Sequence, residues 1–304
     1  MIIREAYAQG SADLKYAGIE SPALDASILL AHVLKTTRTA LVAAGMEKIS
    51  AKDCAVYCNL IERRCSGECV AYITGKKEFM GLEFEVNPSV LVPRPETEIL
   101  VEAAIDVTFA ETSNLRFARR KEKIRCLDLC TGSGAVAIAL KHEIPELEVY
   151  ATDISVEALE TAKRNAARLL PGNDICFLYG DLYNALITSQ KSSSPPFSLL
   201  PSPFNVILSN PPYIPTHEIN TLSAEVRGEP RIALDGGESG LDIIKRIIDG
   251  ASEYLCKGGL LLLEADPRQM NDITAMLEKN GFIDIKLYKD LSGLNRVIGG
   301  VCSE

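Results

Sequence analysis

The chain has 304 residues, 47% hydrophobic and 24% charged, which suffices for a buried core without disulfide or metal staples and excludes a disordered chain. Lys and Arg total 32 against 41 Asp and Glu, and the net charge of −9 makes poor footing for a phosphate backbone. Nine cysteines are an odd number in a chain too long for a cysteine-stapled miniprotein, so they read as thiols in a reducing compartment.

The N-terminal MIIREAYAQGSADL has no basic region followed by a sustained apolar stretch, so no signal peptide is expected. The longest apolar run, Leu260 to Leu263 with its neighbours, is far short of the ~20 residues that span a bilayer. A cytoplasmic chain without membrane contact is expected. Residues 1–75 read as a helical domain. Ser21-Pro22 is a cap with a first-turn proline, followed by ALDASILLAHVL with apolar residues at three- and four-residue steps, and Ser50 opens a second such segment. Over 76–92 the period becomes alternating in EFMGLEFEVNPSVLV, a hairpin with Asn87-Pro88 as its turn. Pro93-Arg94-Pro95 stops it, and Glu96, Thr97 and Glu98 start a helix, so 76–98 reads as a hairpin linker.

Residues 99–304 read as a sheet domain. Strands are expected at 124–129, 148–153, 175–179, 205–209 and 259–265, with helices between them, notably Ser155 to Leu169 and Leu241 to Leu255. Continuous apolar strands alternating with helices mean a parallel sheet covered on both faces. IDIKLYKD at 283–290 and NRVIGGV at 295–301, joined by a short Ser-Gly-Leu turn, close one edge as an antiparallel hairpin. That makes seven strands, mostly parallel. Thr112 to Glu122 and Ser189 to Pro203 read as loops.

Two motifs carry chemistry. Asp128-Leu129-Cys130-Thr131-Gly132-Ser133-Gly134 follows a strand and opens a helix, and its glycines let a nucleoside ligand approach the main chain. Asp153 ends the second strand, 21 residues beyond Gly132, where a carboxylate can accept from both ribose hydroxyls. The pair says adenosine-type cofactor and leaves NAD and S-adenosylmethionine both open. After the fourth strand comes Asn210-Pro211-Pro212-Tyr213. Its prolines fix φ and remove donors, leaving the Asn210 and Pro211 carbonyls and the Asn210 side chain as rigid acceptors for an –NH2 group, with Tyr213 as a flat face. Such a planar nitrogen is a weak nucleophile. Accepting both of its N–H groups returns electron density to it, which is positioning plus electrostatics rather than strong-base catalysis. Asn210 and Pro211 are therefore the candidate catalytic residues.

From about residue 70 onward the chain resembles the HemK-type family of protein-(glutamine-N5) methyltransferases that modify peptide chain release factors. The matching stretches are AYITGKKEFMGLEFEVNPSVLVPRPETE, LDLCTGSGAVAIAL, NPPYIP, VRGEPRIALDGGESGLD, GGLLLLE and LNRVIGG. The first and fourth separate this family from nucleic-acid methyltransferases that share only Asn-Pro-Pro-Tyr. The resemblance implies a Rossmann-like α/β methyltransferase fold behind a small helical domain, with S-adenosylmethionine as cofactor. It implies that Cys130, Thr131, Gly132, Ser133 and Gly134 line the methionine and adenosine part, with Asp153 on the ribose and Asp181 and Leu182 beside the adenine. Asn210 would touch both cofactor and substrate, and Asn210, Pro211, Pro212 and Tyr213 would hold the glutamine amide of the release factor's Gly-Gly-Gln loop. Cys130 stands where the family commonly has glycine, and Leu182 where some members have an aromatic.

A DNA or RNA amino-methyltransferase using the same Asn-Pro-Pro-Tyr chemistry is the alternative, disfavoured by the negative charge. A dinucleotide oxidoreductase or nucleoside-binding module is disfavoured by that same loop. Cys54, Cys58, Cys65 and Cys69 have thiols enough for a metal but lack the tight C-x2-C spacing, and no metal is expected. His32 reads as a packing residue, His217 has no assigned role, and Arg119-Arg120-Lys121 reads as a solvated loop. A monomer without stable nucleic-acid binding, docking its protein substrate through the N-terminal helices, completes the expectation.

Overall fold

A computed structural model describes residues 1–113, 124–172, 174–188 and 203–303. The loop expected over Thr112 to Glu122, Arg119-Arg120-Lys121 and the loop from Ser189 lie largely or wholly outside these residues. The chain forms two compact units, Met1–Lys76 with Leu222–Gly228, and Lys77–Thr221 with Glu229–Glu304. The hairpin therefore counts with the sheet from Lys77 on, and residues 222–228 with the helices. No helix among the described residues is long and apolar enough to cross a membrane.

The first unit contains α1 (Ile3–Tyr16), α2 (Pro22–Leu34), α3 (Arg38–Ala43), α4 (Ala51–Cys65) and α5 (Val70–Thr74). Ser50 caps α4 by accepting the Asp53 N–H at 3.0 Å. Ser21 precedes Pro22 as expected, but its hydroxyl donates to Asp25 at 2.8 Å rather than capping the main chain. The core gathers Leu14, Leu29, Leu30, Tyr57 and Ile61. His32 is exposed rather than packed, because the buried stripe of α2 runs through Asp25, Ala26, Leu29 and Leu30 and leaves residue 32 outside it.

In the second unit β1 (Lys76–Phe79) and β2 (Leu82–Glu85) form the hairpin. Its turn is Met80-Gly81, not Asn87-Pro88. Both turn residues have positive φ, 50° and 70°, as a two-residue hairpin turn of this twist requires. Methionine hides that signal, being an unusual tenant of the left-handed region. Asn87 instead folds the following segment back on itself, its side chain accepting the Ser89 N–H at 2.9 Å. Then follow α6 (Pro95–Ser113), β3 (Arg125–Leu129), α7 (Ala135–Glu143), β4 (Glu148–Asp153), α8 (Val156–Leu169), β5 (Cys176–Tyr179), α9 (Asn184–Thr188) and β6 (Phe204–Ser209). The chain lends α10 (Ala224–Arg227) to the first unit and returns through α11 (Arg231–Leu234), α12 (Asp242–Tyr254), β7 (Leu255–Glu264), α13 (Met270–Lys279), β8 (Phe282–Lys289) and β9 (Asn295–Cys302).

The sheet has seven strands in the order β5-β4-β3-β6-β7-β9-β8. The first five are parallel, and β9 runs antiparallel to both neighbours. Burial alternates between two cores along the central strands. Val206, Leu208, Leu260 and Leu262 face one, while Ile207, Leu261 and Leu263 face the other. Both faces are thus covered, and each such side chain contributes about 1.5–3 kcal/mol by leaving water.

Two buried polar groups organise the units. In the first, Arg64 is 5% exposed and donates to Asp25 at 2.8 Å, to Glu225 of α10 at 2.8 Å and to the Glu68 carbonyl at 3.0 Å. In the second, Asn165 of α8 is fully buried. It accepts the Glu85 N–H at 2.7 Å and donates to the Glu85 and Ser133 carbonyls, each at 3.0 Å. One side chain therefore ties the hairpin to the turn after β3.

Candidate active site

The chain leaves β3 through Cys130-Thr131-Gly132-Ser133-Gly134 and enters α7. Cys130, Gly132 and Gly134 take left-handed angles of 60°, 57° and 80°, so Cys130 carries a strain that glycine would not. A Cβ on Gly134 would stand 2.9 Å from Ile138 Cδ1 and 3.0 Å from Ala162 Cβ, so this glycine lets α7 approach α8. A Cβ on Gly132 would meet nothing within 4 Å, because its main chain borders open space. The Gly132 N–H donates to Asp153 Oδ2 at 2.8 Å, and Asp153 Oδ1 accepts from Ser155 N–H at 2.9 Å. Burial raises the Asp153 carboxyl above its ordinary value, against those donors. Burial likewise pushes Asp128 up to about 7, although the Thr131 hydroxyl donates to it at 2.6 Å. It pushes the Cys130 thiol up too, which keeps that sulfur protonated.

A cavity of about 560 Å³ opens at the carboxyl ends of the parallel strands, where sheets of this kind bind ligands. Among the residues expected at the site, Cys130, Thr131, Gly132, Ser133, Asp153, Asp181, Leu182, Asn210 and Pro212 line it. Gly134, Pro211 and Tyr213 are not on its wall. Tyr213 packs against the core, and its hydroxyl donates to Glu264 Oε1 at 3.3 Å. His217 is exposed and also stands off the wall. Among the described residues no group of three or more His, Cys, Asp and Glu side chains is arranged to hold a metal ion.

Several walls were not expected from the sequence. Ser89, Val90, Leu91 and Thr97 come from the segment after the hairpin and the start of α6. Arg231, Ile232, Ala233 and Asp235 come from α11 and its exit. The two segments are joined by an ion pair between Arg94 and Glu229, and Glu229 also accepts the Val92 N–H at 3.2 Å. Nothing local signals a pairing of charges 135 residues apart. Arg246 of α12 also lines the cavity and donates to Asp181 at 2.6 Å.

The Asn-Pro-Pro-Tyr turn is held from behind by main chain. Ile214 N–H donates to Leu234 O at 3.0 Å, Gly236 N–H to Ile214 O at 2.9 Å, and Thr216 N–H to Gly237 O at 2.8 Å. The Gln269 side chain adds a bond to Tyr213 O at 2.9 Å. At its front, Asn210 Nδ2 donates to the Thr97 hydroxyl at 3.0 Å, which leaves Oδ1 as the acceptor that Asn210 can offer a ligand.

Comparison with known proteins converges on one family. Residues 5–75 match the PrmC N-terminal domain, and residues 112–226 match the methyltransferase small domain. The release factor glutamine methyltransferase of Burkholderia pseudomallei is 40% identical over 282 residues, 91% of each chain. That of Deinococcus radiodurans is 40% identical over 298 residues, 98% of each chain. Among solved structures, the hMettl16 catalytic domain in complex with a 3′UTR hairpin superposes with a TM-score of 0.54 at 14% identity, covering 81% of this chain and 82% of that one. A T. thermophilus 16S rRNA methyltransferase in complex with AdoMet and guanosine gives 0.50 at 18% identity, covering 75% of this chain and 49% of that one. The solved structures share the methyltransferase fold. The near-full-length relatives carry the identification: this chain is a member of the release factor glutamine methyltransferase family.

Proposed function

We propose that the chain transfers a methyl group from S-adenosylmethionine to the N5 side-chain amide nitrogen of the glutamine in the Gly-Gly-Gln motif of peptide chain release factors. The observation that carries this reading is Asn210-Pro211-Pro212-Tyr213 at the end of β6, its asparagine on the cavity wall, in a chain 40% identical to named release factor glutamine methyltransferases. The cavity residues fit S-adenosylmethionine. The volume is that of a small-molecule site. The main chain of Gly132 borders open space, and the buried Asp153 carboxylate is a natural acceptor for ribose hydroxyls. Cys130 to Ser133, Asp153, Asp181 and Leu182 would hold the cofactor, which when bound supplies an electrophilic methyl group.

What remains is for the protein to make an amide nitrogen nucleophilic. Asn210 is turned so that its oxygen is the free acceptor. Pro211 and Pro212 have no N–H to compete for the substrate and hold φ fixed, so the acceptors are in place before substrate arrives. Accepting the substrate N–H groups localises the lone pair on nitrogen, and the proton departs during or after transfer. The all-thiol state of the nine cysteines suits the reducing cytoplasm in which we place a monomeric enzyme.

The test uses labelled S-adenosylmethionine with a release factor, the same factor carrying Gln→Ala in its loop, tRNA with rRNA, and DNA. Label on the wild-type factor alone is the expected result. Label on nucleic acid would make the chain an RNA or DNA amino-methyltransferase instead. Asp153→Asn is expected to weaken S-adenosylmethionine binding about 10- to 100-fold by calorimetry, as loss of a charged acceptor for two hydroxyls should. Unchanged affinity would remove Asp153 from the cofactor site.

A further inference from the structure

Glu264 ends β7 in the middle of the sheet and is 2% exposed. Strand ends of this sheet face the cavity, yet Glu264 is not on its wall. Its partners are the hydroxyls of Tyr213, at 3.3 Å, and Thr97. Oε2 has no hydrogen-bond partner among the described residues. Thr97 is itself buried, 4% exposed, and its oxygen accepts from Asn210 Nδ2 at 3.0 Å.

A threonine hydroxyl has a single proton to give. Its oxygen takes the Asn210 N–H, and an ionised Glu264 can only accept, so the Thr97 proton goes to Glu264. The polarity of the chain Asn210, Thr97, Glu264 is then fixed from its inner end. An asparagine amide presents donor and acceptor on nearly identical shapes, and a 180° flip would exchange them. Only the orientation in which Nδ2 faces Thr97 leaves Oδ1 toward a ligand. The same carboxylate holds Tyr213, so it grips the catalytic turn at both ends.

We propose that Glu264 is a positioning residue for methyl transfer, its buried carboxylate setting the direction of the Thr97 hydroxyl and, through it, the orientation of Asn210. This rests on the reading of the turn as the methyl-acceptor site. The groups facing Glu264 are Glu96 and Thr97 of α6, Tyr213 of the turn and Arg296 of β9. Burial pushes the Glu264 carboxyl up to about 7, with Glu96 adding to the shift and the two hydroxyls and Arg296 opposing it. Below that value the acid can itself donate, and the direction of the Thr97 hydroxyl is no longer imposed. Turnover should therefore rise with pH through about 7 and level off above it.

The experiment follows the Asn210 side-chain amide by nitrogen-15 NMR in ligand-free protein, the resonance being identified by its loss in Asn210→Ala. In the wild-type chain it is expected to shift with pH around an inflection near 7, and in Glu264→Met this inflection should be gone. Asp128 titrates in the same range, so the comparison with Glu264→Met is what assigns the inflection. In kinetics, Glu264→Met and Thr97→Val should each lower kcat about 10- to 100-fold. Cofactor affinity should stay within about threefold, and Thr97→Ser should restore most of the rate. The double variant should be no slower than the slower single one, because both act along one chain. An Asn210 resonance that titrates identically in Glu264→Met, or effects that multiply in the double variant, would overturn the proposal. The resonance needs neither substrate nor cofactor. Failure of the wild-type chain to methylate a release factor would instead undo the functional reading and is seen separately.

Discussion

Asn210→Ala is expected to lower kcat for release factor methylation by about 100- to 1000-fold, the usual cost of removing one preorganised group that stabilises a transition state. S-adenosylmethionine affinity should stay within about threefold. The side chain does not anchor the turn: its nitrogen makes a bond to Thr97, while Ile214, Gly236, Thr216 and Gln269 hold the turn through main-chain groups. Truncation therefore leaves the loop standing and removes the acceptor. Single-turnover rates measured beside calorimetric cofactor affinity separate the two effects. Wild-type turnover in this variant would refute amide activation by Asn210, whereas equal loss of rate and cofactor affinity would make the residue a cofactor contact only.

Gly236→Ala is the second large expected effect, and its cause is contact rather than backbone angle. A Cβ there would lie 2.7 Å from the Gly240 carbonyl oxygen, 2.8 Å from the Pro212 carbonyl oxygen and 2.8 Å from the Tyr213 Cα. All three are main-chain atoms and cannot swing aside as a flexible side chain could. Gly236 is pinned on both sides as well, its N–H donating to Ile214 O at 2.9 Å and its carbonyl accepting from Asp242 N–H at 3.0 Å. The strain must therefore pass into the Asn-Pro-Pro-Tyr turn. We expect kcat to fall about 100-fold, as displacements of about 1 Å in catalytic groups do, with about 1–3 kcal/mol lost in stability. Gly258→Ala is the matching control. That glycine has φ of 79° but open space around it, so the substitution costs about 1 kcal/mol and should spare kcat. Equal kinetic damage in both variants would show that general destabilisation, not the close approach to the turn, limits the rate.

The sheet was legible because its physics is local and periodic. Strands buried on both faces must be apolar throughout, and all seven lie within a few residues of where their runs fall in the sequence. The glycine turn and Asp153 were legible for a related reason, since positive φ and an acid at a strand end leave marks at fixed spacing. What stayed hidden depends on partners far apart in the chain. Glu264 reads as an acid closing an apolar strand, and Thr97 as one polar residue in the first turn of a helix. Only the fold brings both beside Asn210 and Tyr213. The Arg94–Glu229 pair is hidden in the same way, although both of its segments were among the stretches that marked the family. The turn at Met80-Gly81 was missed because a methionine occupied the left-handed position, while Asn87-Pro88 offered the stronger signal nearby.

Arg64 has a consequence for the order in which the protein is made. Its partner Asp25 is synthesised before it, but Glu225 follows it by 161 residues. At about 5–20 residues per second, a ribosome needs roughly 8 to 30 s to cover that distance. Throughout that interval the N-terminal helices can close around the Asp25–Arg64 pair but lack the second carboxylate and the segment Leu222–Gly228 that completes their unit. The first unit to emerge is thus the last to be finished. A nascent chain stalled before residue 222 should expose these helices to protease, and one stalled well beyond residue 228 should protect them.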